Sequence, residues 1–199
     1  LSLEKVDLAQ LVKQLKLKLP FALSGKLTFD VKAAIPVNAP KDLRAYRLTG
    51  NATLSTLNLA GVEMANVQAR VRYVDGVLRL EDLRGVVTEE PHPGRPGPAP
   101  KPGTFAGSAQ YQVEPAGDLN ADLRVERIPL GRALALVPAL KDAGPAGTLS
   151  GTVTCRAPAD RLQDPAAWRG SALLRSDQLQ AYGLSLELSL IHISEPTRQ

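Results

Sequence analysis

One cysteine, one methionine, one tryptophan and two histidines among 199 residues leave little from which to build a reactive centre. A single thiol, Cys155, excludes an intrachain disulfide, and so few thiols and imidazoles exclude the usual zinc ligand sets. Cys155 reads as a small buried hydrophobe in a strand. Aromatic residues make up only 4% of the chain and do not interleave with a basic cluster, which argues against nucleic-acid binding. Long apolar runs are also missing. A helix that spans a bilayer needs roughly 18 such residues; the best candidate, "IPLGRALALVPAL" from Ile128 to Leu140, is too short and carries Arg132. There is no phosphate-cradling glycine loop and no nucleophile with a base in motif context. Glu81 with Asp82, and Glu89 with Glu90, read as solvated carboxylates at strand ends or in a loop. The expectation is therefore a chain that is not an enzyme and holds neither metal nor cofactor.

What the chain has is apolar alternation and glycine. Hydrophobic residues reach 44%, with 16 Gly and 16 Pro, a composition that suits an ordered, soluble, β-leaning chain. Charge is mild: 24 Lys and Arg against 20 Asp and Glu give +4, read as a solvated basic surface, with a membrane-surface patch as the sharper alternative.

Five segments share one grammar, a residue pair, then Gly, then alternating positions: "LSGKLTFDV" from Leu23, "LTGNATLST" from Leu48, "FAGSAQYQV" from Phe105, "LSGTVTCRA" from Leu149 and "WRGSALLRS" from Trp168. Period two means strands with one face buried. The face consists of Leu27, Phe29 and Val31 after Gly25, and of Ala52 and Leu54 after Gly50. It continues with Ala109, Tyr111 and Val113 after Gly107, and with Val153 and Cys155 after Gly151. Each Gly marks a bulge or a tight bend. Asp75-Gly76 between "RVRYV" and "VLRLEDL" predicts a hairpin with a primed turn, and "LNADLRVERI" from Leu119 adds a strand.

A longer repeat overlays the first. "VDLAQLVKQL" has Asp7 as N-cap, Gln10 three residues on and apolar Leu8, Leu11, Val12 and Leu15 at helical spacing, which predicts a short helix near Asp7 to Lys16. Leu130, Ala133, Leu134 and Val137 repeat the spacing behind Pro129, predicting a second from Leu130 to Leu140. Each is followed by a connector and an "LSG" strand. Fixed-order self-similarity argues for stacking modules whose apolar edges are completed by neighbours. Segments 1–87 and 104–187 are thus a helix-plus-strand unit and a second strand unit containing a short helix. Between them, 88–103 ("TEEPHPGRPGPAPKPG") is an extended Pro/Gly loop that holds His92, with a polyproline ligand as the alternative reading.

The end of the chain, "LSLIHISEPTRQ" over 188–199, is read apart. Ser189, His192, Ser194 and Glu195 have the residue types of a hydrolase set, but adjacent residues seldom form one. Back-translated, the segment resembles a transposon-based sequencing-library adapter, and it is expected to be an artefactual tail outside the fold. The chain begins at Leu1 without Met and is expected to be a window of a longer protein.

The succession "VDLAQLVKQL", "LPFALSGKLTFDV", "YRLTGNATLSTLNLAGVEMANVQARVRYVDGVLRLEDLRG" and "FAGSAQYQV" resembles the repeated β region of the AsmA-like superfamily. These are envelope-associated bacterial proteins of AsmA and TamB type, related to bridge-like lipid transfer proteins. The resemblance is concentrated in Gly50 to Leu80 and extends over most of Val6 to Glu187. It implies a mainly β fold with short helices, an elongated curved antiparallel sheet with an apolar groove. It further implies lipid transport or outer-membrane assembly in the periplasm or cell envelope. A phospholipid would be the partner, and membrane anchorage would lie outside this window. The lipid-contact candidates are the ten alternating residues named above. The alternative is a passive structural or adhesive β-repeat module, in which the same rows form a closed core under the helices.

Overall fold

Asp7 does what its position predicts. Its carboxylate accepts the N–H of Gln10 at 3.0 Å, capping a short helix, α1, over Leu8–Gln14. The computed structural model describes residues 2–14, 23–40, 42–59, 61–87, 101–130, 146–162, 164–181, 184–186 and 189–194. The expected second helix lies outside the described residues apart from Leu130, as does the Pro/Gly loop up to residue 100.

Among the described residues everything else of length is strand: β1 (Ser2–Asp7), β2 (Leu23–Ala34), β3 (Arg47–Leu59), β4 (Val62–Val74), β5 (Val77–Val87) and β6 (Gly103–Gln112). They are followed by β7 (Asp118–Pro129), β8 (Ala146–Pro158), β9 (Arg169–Ala181), β10 (Leu184–Leu186) and β11 (Ser189–Ser194). The strands form one mainly antiparallel sheet in which β1 to β9 stand in chain order, each bonded to the next. The fold is mainly β with short helices, as the alternation predicts. Among the described residues the substantial contacts join hydrogen-bonded neighbours, apart from α1, which lies on β1 and β2.

Local chemistry explains the turns and bends. Asp75 (φ 53°) and Gly76 (φ 79°) make the β4–β5 hairpin in the left-handed conformation that a primed turn requires. Asn66, Asp82 and Arg127 also have positive φ, of 52°, 52° and 51°. Each lies in a register shift: Ala65/Gln68 between β4 and β5, Leu80/Leu83 between β5 and β6, Val125/Ile128 between β7 and β8. These are β-bulges, which bend a strand and raise its twist. At Gly151 (φ 154°) an added Cβ would lie 2.0 Å from the carbonyl oxygen of Leu173 on β9, so only glycine permits that close approach.

The structure differs from the sequence reading at the tail. Residues 189–194 are not outside the fold: β11 pairs with β9 from Ser189↔Ser176 to Ser194↔Ser171, beside the short β10 on the same edge. An edge strand offers a row of open N–H and C=O groups, and pairing with it asks only for an extended backbone, not a matched sequence. Opposite the first residue of β11, Ser176 is fully buried and its Oγ has no hydrogen-bond partner among the described residues.

Candidate functional site: an apolar strand face

Register aligns the alternating residues into rows. One row runs Val31, Gly50, Val71, Leu80, Ala109, Ala121, Cys155 and Gly170 across β2 to β9. Another joins Leu48, Tyr73, Leu78, Tyr111, Leu119 and Ala157. Leu27, Leu54 and Val67 align on β2 to β4, Phe29 aligns with Ala52 and Ala69, and Leu123, Val153 and Ala172 align on β7 to β9. The structure thus brings nine of the ten candidate residues onto one face. Val113 is the exception in position: it lies one residue past β6, where its N–H donates to the carbonyl of Gly76 at 2.8 Å.

Burial divides this face in two. On β4, Val62, Met64, Val67, Ala69, Val71 and Tyr73 are all buried while Glu63, Gln68, Arg70 and Arg72 are exposed. Leu54 joins Val62, Met64, Val67 and Val87 in a core cluster, with Leu8 of α1 packed against it. Phe105 belongs to the same cluster because Gly85 opposite has no side chain: a Cβ there would lie 2.6 Å from the ring. Of the candidates, Val31 and Leu54 are buried. Leu27, Phe29 and Ala52 are half-buried beside them. From β6 to β9, Ala109, Tyr111, Ala121, Leu123, Val153, Cys155 and Ala172 are likewise half-buried, while Leu149 and Ala157 on β8 are buried.

Cys155 reports on that second half. Burial pushes its thiol above the ordinary value, a nearby Asp122 adds to the rise, and a hydrogen bond from the Ala121 backbone opposes it. A thiol held protonated is a poor nucleophile. Folded protein is therefore expected to react with a thiol-specific disulfide reagent several-fold more slowly than the denatured chain at mildly alkaline pH. The thiolate should appear only as pH rises past the value for a free cysteine. Equal rates before and after denaturation would show that Cys155 stands open to water.

The opposite face is polar. Arg70 and Asp82 pair at 3.0 Å, Arg84 donates to Gln68 at 3.0 Å, and Arg124 lies 3.4 Å from Glu126. Such exposed pairs contribute roughly 0–1 kcal/mol each. A shallow depression of about 570 Å³ lies between Gln68, Arg70, Asp82 and Arg84, and one of about 480 Å³ between Lys32, Arg70, Arg72 and Glu81. Among the described residues no group of three His, Cys, Asp or Glu side chains comes together, and no helix is long and apolar enough to cross a membrane. His92 lies outside the described residues, and His192 sits in β11 opposite Leu173. Leu8, read from the sequence as part of the apolar face of the first helix, packs on the buried cluster, whereas sequence reasoning missed Phe105 as its aromatic member; the Gly85–Phe105 pairing that seats the ring depends on register. Family models, curated proteins and solved structures were all compared with the chain, and none matches it.

Proposed function

We propose that this chain is a segment of an AsmA-like protein of the bacterial envelope. It works without catalysis, in the periplasm, by shielding lipid acyl chains during transport between membranes or outer-membrane assembly. The observation that carries this reading is the row of half-buried apolar residues that continues from Ala109 through Ala121 to Cys155, beside Leu123, Val153 and Ala172. Acyl chains need no specific polar partner: each CH2 removed from water contributes ~0.8 kcal/mol. Small side chains at Ala109, Ala121 and Ala172 leave depth for a chain beside the larger Leu123 and Val153, which stand opposite each other on β7 and β8. The closed cluster around Leu54 serves in this account as the structural half of the face. The same cluster favours the second reading, a passive β module, if packing of that kind extends over the whole sheet.

Val153→Asp separates the two. The site is half-buried, so the new carboxylate keeps part of its hydration and the fold survives. Phospholipid extracted from the purified protein and quantified by mass spectrometry is expected to fall several-fold in the variant, with the circular-dichroism spectrum unchanged. A wild-type protein that carries no phospholipid, with a variant that only loses stability, would favour the passive module.

A further inference from the structure

The β2–β3 connection shows an apolar surface that the apolar strand face does not explain. Val37 is 91% exposed, Ile35 53% and Leu43 40%, and these are three of the four large hydrophobic residues exposed among the described residues. Hydrogen bonds tie the described residues of this connection together. Ala39 donates to the carbonyl of Pro36 at 3.3 Å and Asp42 to that of Ala39 at 3.1 Å. The Tyr46 hydroxyl donates to the carbonyl of Pro40, and Asp42 caps a 3-10 turn over Leu43–Ala45.

Cations flank these side chains. On the polar face at the same end of the sheet, Lys32, Thr49, Arg72 and Arg79 stand directly opposite one another on β2 to β5. At the 4.7–4.9 Å strand spacing the row spans about 14 Å. Arg72 and Arg79 face each other with no ion pair to a carboxylate among the described residues, and like charges placed opposite destabilise a sheet. Arg44 reaches the β4–β5 turn, its Cγ 3.4 Å from where a Cβ on Gly76 would be, and Arg47 lies 3.9 Å from Asp75. The acids near this end are Asp42, engaged as a cap, Asp75, beside Arg47, Glu114, whose backbone carbonyl abuts Gly76, and, on β7, Asp118, paired with Arg156; Asp30 and Glu81 lie in the next row of the polar face.

Exposed branched apolar side chains beside unneutralised cations match the chemistry of an anionic bilayer surface, which offers hydrocarbon just below a plane of phosphates. We propose that this end of the sheet docks on an anionic phospholipid bilayer, with Ile35, Val37 and Leu43 entering the headgroup layer and the Lys32, Arg72 and Arg79 row meeting lipid phosphates. The assignment stands on the loop and the row alone, and it holds whether or not the apolar strand face carries acyl chains.

The test is co-sedimentation of the whole chain with vesicles of phosphatidylglycerol mixed with phosphatidylcholine, and with vesicles of phosphatidylcholine alone. Binding is expected to the anionic vesicles at low ionic strength and to weaken in high salt. Val37→Asp should reduce it at least about tenfold, since the side chain meets nothing but solvent in the free protein and its loss falls on the membrane contact. Arg79→Gln should reduce it about fivefold, the change that corresponds to ~1 kcal/mol per basic residue near an anionic surface. It should leave the melting temperature unchanged or slightly raised, because it removes the repulsion with Arg72. Three results would overturn the proposal: no binding to anionic vesicles, equal binding of wild type and Val37→Asp, or a wild-type dimer in sedimentation equilibrium that Val37→Asp dissociates. Retention on a heparin column by both proteins, without vesicle binding, would assign the row to a polyanion instead.

Discussion

Leu54→Asp is expected to unfold the chain or to lower its stability by about 4 kcal/mol or more, a loss of the size reserved for unpaired charges in a core. Leu54 is 9% exposed, packs with Val62, Met64, Val67 and Val87, and stands in register between Leu27 and Val67. Its neighbours in that cluster are all hydrophobic. The carboxylate would lose its water and gain no partner. Domains are stable by only about 5–15 kcal/mol, so one such change removes a large share of the total. Chemical denaturation of Leu54→Asp beside Val153→Asp measures the contrast directly. The two residues belong to the same alternating pattern, yet only the first should be intolerant. Equal, small losses at both would mean that the β2–β4 half is as open as the rest.

Gly151→Val is expected to be the second severe change, lowering the melting temperature by roughly 6–12 °C for a loss of about 3 kcal/mol in a chain of this size. The Cβ would lie 2.0 Å from the Leu173 carbonyl oxygen and 3.0 Å from the Leu174 Cα, both backbone atoms, at φ 154°. Nothing there can rotate away. Either β8 or β9 must shift, and the register from Ser150↔Arg175 to Val153↔Ala172 shifts with it. Gly61→Ala is the matched control: its φ is 87° but no atom lies within 4 Å of the added methyl, so backbone strain acts without a collision and the loss should be smaller. A thermal melt of both variants checks the order. A Gly151→Val protein that melts with the wild type would contradict the close approach of β8 to β9.

Alternation made the strand faces legible because a strand's two-residue period is fixed by covalent geometry. The Asp75-Gly76 hairpin and the Asp7 cap were legible for the same local reason: turn and cap chemistry act within four residues. The bulges at Asn66, Asp82 and Arg127 were not. None is a glycine, and a left-handed residue inside a strand is stabilised by the neighbouring strand it serves, which sequence does not name. A hint was present in "ANVQ" and "EDL", where two consecutive residues interrupt the alternation. The strand β1 ahead of the helix was also missed, since six residues beside a strong N-cap carry too few periods to read. Burial along the apolar face was illegible on principle. Leu54 and Val153 occupy equivalent sequence patterns, and what distinguishes them is the packing of distant β4, β5 and α1 residues onto only one of them. The tail shows the converse: a segment with no evident kinship to the repeats still pairs with β9, because an open edge selects for backbone rather than for side chains.

The central claim is that the β6–β9 half of the apolar face holds acyl chains. A phospholipid carrying a photoactivatable diazirine in its acyl chain, incubated with the whole chain, irradiated and mapped by peptide mass spectrometry, tests it most directly. The account predicts adducts on the row that contains Ala109, Ala121 and Cys155 and on its neighbours Leu123 and Val153, reduced by Val153→Asp and competed by unlabelled phospholipid. Adducts confined to the exposed Ile35–Leu43 loop, or none that unlabelled lipid displaces, would contradict it and leave the sheet as a structural module.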